Sequence, residues 1–241
     1  MLETITIFDD DEVADKTQSH RVTDIKEAVR DHNRVNVYID DKYYCSLDIS
    51  QVVDLGIKIG RKLNFEQLED IKRASEFGKF YARALEYVLM RPHSTKEIND
   101  YLRRKTLSKK IRTKNPKTGE YKDTVRSGYD PSLIPLVLER LDQHGHLDDR
   151  RFAELWVENR DIKKGTSFKK LRDELARKGI SQKIIDDVLR SDMRNEREEL
   201  RKVIARKSNR YADRQKLIQY LIHQGFTYSD ILDELSSSEG A

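Results

Sequence analysis

The sequence predicts a mainly α-helical protein: an elongated tandem array of three three-helix repeats, preceded by a small N-terminal α+β module with a β-hairpin or three-stranded sheet. Three observations predict it. Charged and hydrophobic residues each make up 37% of the 241-residue chain, which is thin for one large core and suits several small cores beneath charge-laced helices. The stretch SFKKLRDELARKGISQKIIDDVL matches the later DRQKLIQYLIHQGFTYSDILDEL at an offset of 46 without a slip, the signature of a structural repeat. Strict alternation of apolar and polar residues is confined to the region around residues 35–47.

Residues 1–20 hold six acids against one base and form an acidic N-terminal segment. A small module follows over 21–76. Val35, Val37 and Ile39 alternate with polar residues, as do Tyr43, Cys45 and Leu47, so a hairpin turning at Asp40-Asp41-Lys42 is expected, with Val22 to Val29 as a third strand. The alternation puts Cys45 on one buried face with Tyr43 and Leu47, where it acts as a small apolar residue without chemistry. Ser50 to Leu55 reads as a short helix stopped by Gly56. Asn64 caps the next helix, with Gln67 at capping-box spacing.

The repeats occupy 77–147, 148–192 and 193–238. At the offset of 46, Leu171 matches Leu217, Leu175 matches Leu221, Gly179 matches Gly225, and Ile185 matches Ile231. Each copy thus carries a helix, a glycine suited to a left-handed C-cap, a Ser or Thr N-cap (Ser181, Thr227) and another helix. A further helix precedes each pair, because Phe152, Leu155 and Trp156 share their spacing with Leu200, Val203 and Ile204. The first copy reads as Leu85, Val88 and Leu89, then Ile98 and Leu102, then Leu133, Ile134, Val137 and Leu138. In the last copy Asp230 and Glu234 replace Ile184 and Val188, which predicts a polar outer face closing the stack.

The first copy carries an insertion at about 106–128. Residues 103–126 hold ten bases against two acids, an electrostatic footprint for phosphate or for an acidic protein surface. Asn115-Pro116-Lys117-Thr118-Gly119 is a turn signal between two runs compatible with strands, so a protruding basic hairpin is expected.

Gly145-His146-Leu147-Asp148-Asp149-Arg150-Arg151-Phe152-Ala153, Lys164-Gly165, and Leu175-Ala176-Arg177-Lys178-Gly179-Ile180 resemble the signature of the RecX family. Ala84-Leu85, Arg91 and Ser94-Thr95-Lys96-Glu97-Ile98 fit it too, so the resemblance covers roughly residues 78–236. It implies a regulatory protein of homologous recombination, DNA repair and the SOS response. Such a protein binds RecA and its filament on single-stranded DNA and restrains ATP hydrolysis and strand exchange. The long basic insertion and the Gly145-His146-Leu147 form depart from the plain family pattern.

Candidate contact residues fall into three groups. Lys109, Lys110, Arg112, Lys114 and Arg126 of the insertion are placed to straddle phosphates, with Tyr121 available for base stacking. Arg150, Arg151, Lys163, Lys164, Lys169, Lys170 and Arg172 give the central repeat a basic side. Arg206, Lys207 and Arg210 continue it in the third. Asp148-Asp149 reads as an N-cap and Trp156 as packing. His144 and His146 lack further ligands nearby, so no metal and no cofactor are expected. No phosphate-binding, dinucleotide-binding, zinc-protease or nucleophile-elbow motif is present, which points away from an enzyme. No stretch reaches membrane-spanning length and the N-terminus is acidic, so a soluble, unexported protein is expected; the single cysteine, Cys45, fits the reducing cytoplasm, and a monomer is the expected state. The competing readings are a free-standing helical DNA-binding protein and a protein-binding helical scaffold with no nucleic-acid role.

Overall fold

The computed structural model describes residues 19–29, 31–114, 119–160, 164–211 and 213–238. Two compact units divide after Arg83. Most of the acidic N-terminal segment lies outside the described residues.

In the first unit, β1 (His20–Ala28), β2 (Asp31–Ile39) and β3 (Lys42–Asp48) are antiparallel, followed by α1 (Ile49–Asp54), a two-residue β4 (Lys62–Leu63), and α2 (Phe65–Met90). The sheet order is β3-β2-β1-β4, so a fourth strand adds to the three expected. Asp40 and Asp41 both have positive φ, 48° and 62°, the two-residue hairpin turn whose twist matches the strands. The Asp40 carboxylate accepts the Arg21 amide at 2.9 Å, and Thr23 accepts the Asp41 amide at 3.0 Å. These bonds satisfy the turn in a conformation that aspartate tolerates better than most residues.

Val22, Val37, Ile39, Cys45, Leu47, Leu63, Leu68 and Ile71 belong to the core of this unit. Tyr43 does not join them, contrary to the alternation. The register skips Tyr44, with Val37 opposite Cys45 but Tyr38 opposite Tyr43, and this bulge turns Tyr43 outward to 55% exposure. Tyr44 instead points inward and donates to the Leu68 carbonyl at 2.9 Å. Burial pushes its phenol up to about 12.

Residues 76 and 77, where the module was expected to give way to the first repeat, lie inside the unbroken α2. Asn64 and Gln67 make the reciprocal capping-box bonds. Gly78 within this helix is a point of close approach, since a Cβ there would lie 2.8 Å from the Gln51 side chain.

In the second unit the end of α2, with α3 (Thr95–Thr106) and α4 (Ile134–Gln143), forms the first repeat. The strands β5 (Lys109–Lys114) and β6 (Tyr121–Arg126) are inserted between α3 and α4. The second repeat is α5 (Asp149–Asn159), α6 (Phe168–Arg177) and α7 (Gln182–Ser191). The third is α8 (Glu196–Lys207), α9 (Arg214–His223) and α10 (Tyr228–Ser238). Leu171, Leu175, Ile185 and Leu189 pack with Phe152, Ala153 and Val157; Leu217, Leu221, Ile231 and Leu235 pack with Leu200 and Val203. Gly145, Gly179 and Gly225 take positive φ after their helices, and Ser181 and Thr227 accept the amides of Ile184 and Asp230.

Two expectations change. In α2 the stripe turned inward is Ala84, Leu85, Tyr87 and Val88, so Leu85 and Val88 face inward as expected, while Leu89 is 68% exposed and does not join them. The last helix is polar at Glu234, as expected, but through an ion pair and not a free surface acid. Glu234 packs against its own repeat's first helix, where its carboxylate bonds Arg201 at 2.5 Å. This pair ties α10 to α8 within the third repeat.

Candidate nucleic-acid and partner interface

The three repeats are joined by one contact set used twice. Ser94 caps α3 by accepting the Glu97 amide, and its hydroxyl donates to the Lys178 carbonyl at 2.7 Å, at the C-cap of α6. One repeat further on, Ser167 caps α6 and donates to the Gln224 carbonyl at 2.5 Å, at the C-cap of α9. The first helical residues repeat the pattern: the Thr95 amide donates to Asp149 at 2.8 Å and the Phe168 amide to Glu196 at 3.0 Å. Helix N-terminal amides without intrahelical partners are thereby satisfied by the neighbouring repeat. The glycines are required here for space as well as for φ. A Cβ on Gly179 would meet the Lys96 side chain at 2.7 Å, and one on Gly225 would meet the Ser167 hydroxyl at 2.7 Å. In the third repeat the matching N-cap is Asp213, which among the described residues accepts its own helix amide, from Gln215. A carboxylate cannot donate to a carbonyl, so the joint ends there.

The two joints differ in their side chains. In the first, the Lys178 ammonium pairs with Glu97 at 2.5 Å and lies 4.9 Å from the Trp156 ring centroid. Burial pushes the Glu97 carboxyl up, but Lys178 and Arg91 outweigh it and hold the group below its ordinary value. In the second, Lys170 takes the place of Glu97 and donates to Gln224 at 2.8 Å. Glu199 is buried, accepts the Thr166 amide at 2.8 Å and pairs with Lys202. Gly165 presses against this segment so closely that a Cβ would lie 2.3 Å from the Glu199 carbonyl.

Trp156 packs against the second repeat's core, as expected. Its indole donates to Glu174 at 3.2 Å, and Arg160 grips the same carboxylate through two bonds at 2.8 and 2.9 Å. Burial pushes Glu174 up, yet Arg160 and the indole hold it below the usual carboxylate range. Asp148 caps α5 by accepting the Arg151 amide, while Asp149 reaches across to Thr95.

The structure sorts the basic candidates. Lys109, Lys110, Arg112, Lys114 and Arg126 all lie on the two-stranded hairpin, with Lys109 opposite Arg126, Arg112 opposite Asp123 and Lys114 opposite Tyr121. Side-chain alternation divides them. One face carries Lys110, Arg112, Lys114, Tyr121, Asp123 and Val125, with Asp123 3.8 Å from the Arg112 guanidinium; the other carries Lys109 and Arg126. Arg112 and Lys114 lie 4.7 and 5.9 Å from the Tyr121 ring centroid. Tyr121 and Val125 are largely exposed, so this face combines cations with a stacking surface. Residues 115–118 of the expected turn lie outside the described residues.

In the central repeat, Arg150 is engaged with Asp187 at 2.8 Å, Arg151 with Glu154 at 3.5 Å, and Arg172 with Asp186. Lys169 is exposed without an ion pair among the described residues, Lys164 is exposed, and Lys163 lies outside the described residues. Arg206 and Arg210 are exposed in the third repeat, and Lys207 lies 5.6 Å from the Tyr220 ring centroid. Sequence reading passed over Lys96, Arg104 and Arg177, all exposed. The signal was available, because Lys96 and Arg104 precede Lys169 and Arg177 by the same 73 residues that separate Ser94 from Ser167. Among the described residues no cluster of three or more metal-ligating side chains occurs, and no helix is long and apolar enough to cross a membrane.

Comparison with known proteins bears on both units. Residues 20–64 match the model of the regulatory protein RecX N-terminal domain, and residues 148–189 match that of the RecX second three-helix domain. A regulatory protein RecX from Clostridium acetobutylicum is 29% identical over 225 residues, covering 89% of this chain and 94% of the relative. One from Clostridium tetani is 27% identical over 233 residues, covering 92% and 97%. Among solved structures, a crystal structure of regulatory protein RecX is similar with a TM-score of 0.66 at 22% identity, covering 88% of this chain and 96% of that one. This last likeness shows the fold.

Proposed function

From the likeness of both its units to RecX proteins, we propose that this chain is a non-enzymatic regulator of recombination and DNA repair. It binds RecA and the RecA filament on single-stranded DNA, and restrains ATP hydrolysis and strand exchange. The observation that carries this reading is the twice-used joint, Ser94 to Lys178 and Ser167 to Gln224. Repeats fixed by identical contacts present a series of equivalent faces, as suits a partner that is itself a repeating polymer. The hairpin face of Lys110, Arg112, Lys114 and Tyr121 supplies a contact for DNA or for an acidic surface of the filament. Arg150 and Arg172 tie helices of their own repeat together through ion pairs, Arg151 pairs along its own helix, and the contact is carried by Lys169 and the hairpin. The protein works as a cytoplasmic monomer without cofactor or metal.

The test is RecA assembled on single-stranded DNA with ATP turnover followed as this protein is added. Turnover falls as the protein approaches stoichiometry with RecA; unchanged turnover at excess protein refutes the inhibitory reading.

A further inference from the structure

Two grooves in the repeat array are the same site used twice. The first, of about 410 Å³, is lined by Tyr87, Lys96, Glu97, Asp100, Arg104, Arg177 and Lys178. The second, of about 380 Å³, is lined by Lys169, Lys170, Asp173, Arg177, Ile222, His223, Gln224 and Gly225. Lys96, Glu97, Asp100 and Arg104 precede Lys169, Lys170, Asp173 and Arg177 by 73 residues each, and Arg177, Lys178 and Gly179 precede His223, Gln224 and Gly225 by 46. Each groove therefore lies over one capping joint. Arg177 serves both, closing one groove and opening the next.

Cations exceed acids in each. The first groove has four cations against two acids, one of those acids already paired with Lys178. The second has three cations and a histidine against one acid. Arg104, Lys169 and Arg177 make no ion pair among the described residues, in contrast with Arg150, Arg151 and Arg172. The Lys96 ammonium donates to the Arg177 carbonyl at 2.9 Å, which leaves the Arg177 guanidinium itself uncommitted. Arg104 stands in the last turn of α3, from which the chain passes directly into the cationic hairpin.

We infer that the two grooves and the hairpin face form one track for the phosphodiester backbone of single-stranded nucleic acid, with phosphates seated at successive joints. The lining favours nucleic acid over a protein partner. A stable protein interface is centred on a dry apolar or aromatic anchor, whereas these grooves offer ammonium, guanidinium and backbone carbonyl groups with only Tyr87 and Ile222 beside them. A backbone with evenly spaced charge matches cations that recur once per repeat. Tyr121, flanked by Arg112 and Lys114, takes a base released from stacking. Recognition of this kind is independent of sequence. It extends the proposed function but needs no recombinase, so the two fail separately.

The test is binding of the full chain to a fluorescent oligothymidylate of about 30 nucleotides, long enough for several contacts, followed by anisotropy across a salt series without recombinase. The double variant Arg104→Ser/Arg177→Ser is compared with Lys183→Ser/Arg190→Ser, which removes equal charge from exposed positions on α7, outside both grooves. Loss of two phosphate contacts lowers the slope of log affinity against log salt by about 1.4, at about 0.7 per contact on a single strand. The α7 variant keeps the wild-type slope. Arg104→Lys/Arg177→Lys restores it, because a phosphate accepts either cation. The inference is overturned if both serine variants behave alike, or if the wild type binds no oligonucleotide at low salt. It is also overturned if the groove variant keeps naked-DNA binding while losing restraint of RecA ATP turnover, which makes the strip a protein contact.

Discussion

Replacing Gly165 by alanine tests the second joint most sharply, because Gly145 supplies an internal control. Both glycines are left-handed, with φ of 76° and 69°, so alanine carries a backbone penalty of about 1–2 kcal/mol at either place. Their surroundings differ. At Gly145 an added Cβ meets nothing within 4 Å; at Gly165 it would lie 2.3 Å from the Glu199 carbonyl and 2.8 Å from a Val203 methyl. Forcing a methyl into such a contact costs a further 1–3 kcal/mol, roughly. Gly165→Ala should therefore destabilise the second unit by about 2–5 kcal/mol, a large part of a domain's total, and Gly145→Ala by about 1–2. Trp156 is the chain's only tryptophan and packs on the core of the second repeat, so its fluorescence in a urea titration reads the right unit. Equal losses for the two variants would refute the view that repeats two and three are pressed together at Gly165.

Four further outcomes follow from the same contacts. Ser167→Ala removes both a cap and a bond to the Gln224 carbonyl, a loss of about 2 kcal/mol. Ser167→Asp keeps the cap but cannot donate, so hydrogen exchange at the end of α9 should quicken while α6 stays protected. The lowered carboxyls of Glu97 and Glu174 contribute stability that is present above the ordinary carboxylate pKa of about 4.3 and lost as pH falls through the depressed folded values. An acid titration read at Trp156 should show this loss, and Glu97→Gln/Glu174→Gln should flatten it. Cys45, buried and with its thiol pushed up by burial, should resist a thiol reagent until the first unit unfolds; rapid labelling of the native protein contradicts its placement.

Much of the fold was legible because the repeat is written in the sequence twice over, in apolar spacing and in caps. Leu171 and Leu217, Gly179 and Gly225, Ser181 and Thr227 occupy the same places in both, since local periodicity and capping chemistry act over a few residues. Features requiring distant partners were not legible. Nothing near Tyr43 announces the bulge at Tyr44, which depends on the Leu68 carbonyl. Glu234 reads as a surface acid until Arg201 is seen beside it. The strand β4 is two residues long and is defined by its pairing with His20 and Arg21.

The candidate site divides in the same way. The hairpin was visible as a run of bases around a turn signal, and alternation alone assigns Lys110, Arg112, Lys114 and Tyr121 to one face. For Arg150 and Arg172 the local charge density gave no hint of Asp187 and Asp186 as partners, whereas Arg151 and Glu154 stand three apart on one helix and were readable as a pair; an engaged guanidinium is a poorer contact than a free one. Ser94 and Lys178 meet across 84 residues, which no local pattern reveals. The joint was nonetheless encoded as the offset of 73 between Ser94 and Ser167.

The central claim is that this repeat array restrains the recombinase filament and that its hairpin takes part. RecA ATP turnover on single-stranded DNA, measured with the wild-type chain and with Lys109, Lys110, Arg112 and Lys114 all changed to serine, tests it most directly. The wild type should depress turnover near stoichiometry, and the hairpin variant should require several-fold more protein for the same effect. Full turnover in the presence of excess wild type would contradict regulation of the filament, and equal restraint by both proteins would remove the hairpin from it.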